Sequence, residues 1–173
     1  MTNQSNRTAV ITGAGDGIGR ALAINLNSCG IDLYLCDIDR ERLDATAGML
    51  NSDGVTVSTA VVDCGNREQI ETWAAMICAE NDSLDFLFNN AGVGYASPFR
   101  DASLENFEWL MNINYWGVVW STKAFLPLLE ASTAGHLVNI SSIFGMVGIA
   151  TQSAYNSAKF AVRGFTESLQ AEY

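Results

Sequence analysis

The sequence predicts an α/β fold, a doubly wound parallel sheet in three α/β/α layers, and three observations carry that prediction. Short runs of β-branched and apolar residues alternate with stretches of helical periodicity along the whole chain. A glycine-rich turn joins the first strand to the first helix, and the second strand ends on an aspartate. Strands that alternate with helices run parallel, are covered on both faces, and receive ligands at their carboxyl ends. The 173 residues suit one domain, 1–173, with no repeat, low-complexity segment or linker.

Thr8 to Thr12 is the first strand, and Gly13 to Gly19 the turn after it. The next helix carries Ile18, Ala21, Leu22, Leu26 and Cys29 as its apolar stripe and stops at Gly30. Asp32 to Cys36 is the second strand, closed by Asp37. Arg40 to Leu50 reads as helix, Gly54 turns the chain, and Val55 to Val62 is the third strand. Asn66 caps a helix reaching about Glu80, and Leu84 to Phe88 is the fourth strand. Ser103 caps a long helical stretch from Leu104 to about Ala131, kinked or broken near Pro127. His136 to Ser141 is the fifth strand, and Thr151 opens the last helix.

Composition narrows the function classes. A net charge of −10 repels phosphate backbones and anionic lipid, so neither nucleic acid nor membrane is an expected partner. No apolar run spans a bilayer, and the polar opening Met1 to Asn6 is no signal peptide. Cys29, Cys36, Cys64 and Cys78 lie far apart and read as reduced, mostly buried thiols of a cytoplasmic protein. The single histidine, His136, opens an apolar run and reads as structural, which argues against a His-based triad or a metal site.

The glycine turn does not follow G-x-G-x-x-G; it follows T-G-x-x-x-G-I-G through Thr12, Gly13, Gly17, Ile18 and Gly19. Glycines there let backbone approach a pyrophosphate, and a helix N-terminus supplies free N–H groups. Asp37, eighteen residues after Gly19, can take both hydroxyls of an adenosine ribose and would repel a 2′-phosphate. Asp16 adds a second negative charge inside the turn, so both acids favour NAD over NADP. Arg40 and Arg42 argue mildly the other way, or belong to a solvated helix face. Asp63 ends the third strand, either to hold an adenine amino group or to cap the next helix.

Between Ser142 and Lys159 the chain places a hydroxyl, a phenol and an ammonium in one short span. Tyr155 and Lys159 share a helix face about 6 Å apart along the axis. An ammonium there favours the phenolate, so a phenol could exchange a proton with an alcohol or carbonyl. The pair alone fits an ordinary helix surface equally well.

Taken in order, Thr12-Gly13, Gly17-Ile18-Gly19, Asp37, Asp63, Asn89-Asn90-Ala91-Gly92, Asn114-x-x-Gly117, Ser142 and Tyr155-x-x-x-Lys159 resemble the short-chain dehydrogenase/reductase family in its ordinary-length branch. The resemblance covers essentially the whole chain and implies a Rossmann fold and a nicotinamide cofactor. It implies a catalytic group of Asn114, Ser142, Tyr155 and Lys159. Tyr155 would be general acid or base, and Lys159 would tune it and hold ribose hydroxyls. Ser142 would polarise the substrate oxygen, with Ser141 as fallback. Asn114, with Asn112 as its rival, would fix a helix bend and hold a water leading to Lys159. The implied cofactor contacts are Gly13, Gly15, Asp16, Gly17, Ile18, Gly19, Asp37, Asp63, Cys64, Asn90, Ala91, Gly92, Tyr155 and Lys159, with no metal.

The resemblance also implies a small-molecule alcohol or carbonyl substrate and a homodimer or homotetramer formed through the two long helices. Ile143, Phe144, Met146, Val147 and Ile149, with Val93 and Tyr95, either line an apolar pocket or pack the core. Members of this branch continue well beyond the point matching Tyr173, with further strands and a substrate lid. The expectation is therefore a fold lacking its last strands, with the fifth strand as an exposed edge. Whether the chain is a piece of a longer protein or a short relative stays open. On this reading the full-length protein is an active enzyme, and this chain alone binds NAD weakly and turns over poorly. The competing reading is a nucleotide-binding module without turnover.

Overall fold

The computed structural model describes residues 6–173, so all but Asn6 of the polar opening lies outside the described residues. Five parallel strands form one sheet in the order β3-β2-β1-β4-β5. They are β1 (Thr8–Thr12), β2 (Asp32–Asp37), β3 (Val57–Val61), β4 (Phe86–Asn89) and β5 (His136–Asn139). Order reverses between β1 and β4, where a doubly wound sheet opens its ligand crevice. Both β3 and β5 are edges among the described residues.

The strand period of two sorts side chains between two cores. Val10, Tyr34 and Cys36 join α3 (Arg67–Glu80) and α5 (Gly117–Ala131) on one face. Ala9, Ile11, Leu33 and Leu35 join α1 (Gly17–Ser28) and α2 (Arg40–Ala47) on the other. α4 (Leu104–Met111) and α6 (Ser153–Glu172) meet over a third cluster of Leu110, Ala154 and Ala158. Four helices start on side-chain caps: Asp16 for α1, Asp39 for α2, Asn66 for α3 and Ser103 for α4.

Several boundaries move from the sequence expectation, each for a visible reason. The buried face of α1 is Gly19, Ala23 and Asn27, while Ile18, Ala21 and Cys29 are exposed. Asn27 tolerates burial because its amide exchanges two 2.8 Å hydrogen bonds with the Asn51 backbone. α2 ends at Ala47, where tighter turns through Gly48 and Met49 take over. β3 begins at Val57, because the Thr56 N–H goes to the Asp32 carboxylate at 2.6 Å. β4 begins at Phe86, because the Leu84 N–H goes to the Leu128 carbonyl at 2.9 Å. α6 begins at Ser153, after Thr151 turns the chain with φ 67°. Of the cysteines, Cys36 and Cys64 are buried, Cys78 is half-buried and Cys29 is exposed; all four are free thiols.

The long helical stretch is not broken at Pro127, which lies inside α5. Pro127 faces solvent, as does Lys123, whose carbonyl loses its helical donor and can bond water instead. Buried Phe125, Leu128 and Leu129 hold the last turns, Phe125 meeting Trp73 edge-on at 5.7 Å. Regular α geometry lapses earlier, in a π-helical turn over Asn112–Trp116.

A polar network, buried at Asn89, Ser121 and Thr122 and half-buried at Asn139 and Thr166, ties four elements together at the carboxyl ends of β4 and β5. Asn89 donates to Thr122 (2.9 Å) and Asn139 (2.8 Å) and accepts from Ser121 (2.5 Å). Asn139 donates to Thr166 on α6 at 2.9 Å, and Thr166 donates to the Val162 carbonyl at 2.7 Å. No buried side-chain polar atom lacks a partner among the described residues.

Candidate active site

A cavity of about 1100 Å³ opens along the carboxyl ends of the strands, at the point where strand order reverses. It is lined by Gly13, Asp16, Gly17, Ile18, Asp37, Asp63, Cys64, Asn90, Ala91, Gly92, Ser142, Tyr155 and Lys159. Of the other residues expected in the site, Gly15, Gly19 and Asn114 do not line it.

The glycine turn is built by close approach. Gly13 has φ +66°, and a Cβ there would lie 2.8 Å from the Ala91 Cα. A Cβ on Gly19 would collide with the Gly13 carbonyl, so α1 can begin hard against the turn only with glycine at that place. Thr12 joins the turn to the Asn89–Gly92 segment: its hydroxyl accepts the N–H groups of Asn90 and Ala91, both at 3.0 Å. The Asn90 amide donates back to the carbonyls of Thr12 and Gly13, also at 3.0 Å. Thr12 and Asn90 thus fix the cavity floor. α1 points its N-terminus into the cavity; Asp16 takes the Gly17 N–H, and the helix dipole with the N–H groups that follow suits an anion.

Asp37 accepts the Gly15 N–H at 2.8 Å and the Asp39 N–H at 3.0 Å, which sets its carboxylate toward the cavity end beside the turn. Asp16 caps α1 by accepting the Gly17 N–H at 2.7 Å, and its charge meets Arg42 at 3.4 Å and Arg20 at 3.8 Å. Arg42 also pairs with Asp39 at 3.1 Å and lines the cavity, whereas Arg40 pairs with Asp44 along the exposed face of α2. Asp63 accepts the Gly65 N–H at 2.8 Å and leaves the capping of α3 to Asn66.

At the other end, α6 presents Tyr155 and Lys159 one turn apart. Lys159 is only 4% exposed; its Nζ donates to the Ile140 carbonyl at 2.8 Å and lies 5.7 Å from the Tyr155 ring centre. Burial lowers its pKa to about 8, since the charged form loses water. Ser142 has extended backbone and its Oγ accepts the Phe144 N–H at 3.2 Å. Ser141 turns the other way, donating to the Lys159 carbonyl at 3.1 Å. Phe144 meets the Tyr155 ring edge-on at 5.8 Å.

Asn114 is fully buried in the π-helical turn, accepting the Val93 N–H and donating to the Val93 carbonyl, both at 2.8 Å. It lies behind the wall: a Cβ on Gly92 would sit 3.3 Å from its Oδ1 and 3.7 Å from Lys159 Nζ. Asn112 sits near Gly65 instead. The cavity also has walls that sequence reading did not single out, among them Trp109, Ile113 and Gln152. Trp109 and Ile113 are one helical turn apart; their spacing is visible in the sequence, but the face they share is set by the packing of α4. Cys36 lies beneath the cavity, and its thiol is pushed up by burial and then by the neighbouring Cys64. No cluster of potential metal ligands occurs among the described residues.

A family model described as short chain dehydrogenase matches residues 7–173. The Mycobacterium tuberculosis (strain H37Rv) protein named "Putative oxidoreductase SadH" is 43% identical over 172 residues, 99% of this chain and 62% of that protein. This chain therefore spans under two thirds of that relative's length. A short chain dehydrogenase/reductase from Burkholderia phymatum, solved in complex with NAD, superposes with TM-score 0.91 at 33% identity, covering 100% of this chain and 62% of that one. A metagenomic short-chain oxidoreductase in complex with NADP gives TM-score 0.91 at 31% identity, covering 97% and 76%. With its parallel sheet, its glycine turn and a family match over nearly all its residues, the chain belongs to the short-chain dehydrogenase family.

Proposed function

We propose that the protein is an oxidoreductase that exchanges a hydride between NAD(H) and an apolar secondary alcohol or ketone. One observation carries this reading: a single cavity has the glycine turn and Asp37 at one end and Ser142, Tyr155 and Lys159 at the other. A bound nicotinamide cofactor would supply the hydride chemistry. The chain's residues supply position, charge and a proton. N–H groups at the start of α1 hold the pyrophosphate. Asp37 takes the ribose hydroxyls, since each oxygen that accepts one N–H keeps a second lone pair. Lys159 spends one of three protons on Ile140 and keeps two for a ribose. Ser142 keeps its hydroxyl proton for the substrate oxygen, and Tyr155 gives or takes the proton there. Asn114 holds the Val93 segment in place and serves the path from Lys159 to solvent.

The preference for NAD rests on charge: Asp16, Asp37 and Asp39 surround Arg42, leaving no free cation among the described residues for a 2′-phosphate at that end of the cavity. The apolar preference rests on Trp109, Val93 and Phe144 in the wall. The same reading has the protein cytoplasmic and paired through its long helices.

Titrating NADH and NADPH separately, by nicotinamide fluorescence, tests the cofactor; comparable affinity for the two would overturn the NAD preference. Replacing Tyr155 by Phe should then cut turnover of secondary alcohols by about 10²–10⁴-fold with NADH affinity kept. Cofactor binding without turnover in the unaltered chain would leave the nucleotide-binding module instead.

A further inference from the structure

Directly after Tyr155, beside the site, stands Asn156. It is 8% exposed and does not line the cavity. Its Nδ2 donates to the Phe144 carbonyl at 2.6 Å and the Val147 carbonyl at 2.7 Å, and its Oδ1 accepts the Ile149 N–H at 3.1 Å. Both amide protons and one lone pair are thus used on the segment that follows Ser142. Its backbone N–H, bonded to the Gln152 carbonyl at 2.7 Å, belongs to the first turn of α6.

The segment is also pressed onto α6 from its other side. A Cβ on Gly145 would lie 2.7 Å from the Ser141 Oγ and 2.8 Å from the Lys159 carbonyl. Of the side chains of this segment only Phe144 packs against α6, edge-on to Tyr155, since Ile143, Met146, Val147 and Ile149 are between 43% and 62% exposed. The remaining internal bonds are short turns within the segment, such as Gly145 N–H to the Ser142 carbonyl at 2.9 Å.

We propose that Asn156 is a positioning residue: through its amide it fixes the segment after Ser142 to the helix carrying Tyr155 and Lys159. It thereby sets the Ser142 hydroxyl at its working distance from the phenol. This rests on the oxidoreductase reading above. Asn156 touches neither cofactor nor substrate, so its loss should appear in turnover rather than in binding.

The test compares the unaltered chain with Asn156→Ala, Asn156→Asp and Gly145→Ala in NADH binding, melting temperature, and kcat and KM on secondary alcohols. Asn156→Asp keeps the shape and the acceptor but loses both donors. Gly145→Ala lifts the segment without removing a polar group, and decides the matter if the Asn156 variants do not fold. The expected result is a fall of at least tenfold in kcat in every folded variant, with KM and NADH affinity within about threefold. Folded Asn156 variants that keep kcat within twofold overturn the proposal. So does Gly145→Ala with unchanged kcat where neither Asn156 variant folds. An unaltered chain that binds NADH and turns over nothing overturns the oxidoreductase reading for this chain, and the positioning role falls with it.

Discussion

Lys159 shows how a buried charge makes itself measurable. Its ammonium is held at a pKa of about 8, against about 10.4 for an exposed lysine. Below pH 8 both the folded and unfolded chains carry the proton, so the penalty for burying it is constant. Between pH 8 and about 10.4 the unfolded chain binds more protons than the folded one, so this residue's contribution to stability rises with pH. The unfolding free energy of the unaltered chain minus that of Lys159→Met should therefore climb across that window, by at most about 1.4 kcal/mol per pH unit. Urea titrations at pH 7.5 and 9.5 check it, and a flat difference would contradict the assignment. Using the difference cancels the opposite drift from buried Cys36, whose raised pKa weakens folding as pH rises. A second prediction concerns Asn27: replacing it with Ala removes two hydrogen bonds to the backbone of exposed Asn51, whose groups then turn to water, and should cost about 1 kcal/mol in the same assay.

At the scale of the element, the stretch from α4 through α5 is the clearest case of packing overruling propensity. Gly117 opens α5, and a Cβ there would lie 2.5 Å from the Cys64 carbonyl. Alanine is the better helix former by about 1 kcal/mol, yet Gly117→Ala should destabilise by about 1–3 kcal/mol because backbone must give way. A higher urea midpoint for that variant would refute the contact. The same stretch marks how far the sequence could be read. Asn66 and Ser103 act within three residues of themselves, so the caps of α3 and α4 show in local sequence. Tyr155 and Lys159 fall on one face because a helix repeats every 3.6 residues. Pro127 misleads because its tolerance depends on which side meets water. Trp109, Gln152 and Asn156 escape for a related reason: their roles depend on neighbours brought in by other elements. The stripe of α1 is misplaced because Asn27 is paid for through the Asn51 backbone, a bond no periodicity announces.

For the whole molecule, alternation of strands and helices was enough to give the parallel sheet and both its layers, but not the outer surfaces. Trp116 is 44% exposed and stacks on Trp120 at 6.1 Å, while Phe160 on α6 is equally open. Under the proposed pairing through the long helices, light scattering should show a mass that rises with concentration. Trp116→Glu should return the protein to a monomer. A single monomeric mass for the unaltered chain at all concentrations would refute the pairing.

The chain of amides and hydroxyls from Ser121 and Thr122 through Asn89 and Asn139 to Thr166 has a consequence for how the molecule opens. An apolar contact that loosens loses its strength by degrees. A buried amide pulled from its last partner has no intermediate state, and the penalty falls due at once. Because Asn139 is tied at once to Asn89 inside the sheet and to Thr166 on α6, separating α6 from β5 should release the network as a whole. Breathing of this region should be all-or-none, with the amides of β5 and the middle of α6 exchanging their hydrogens together, as one unit.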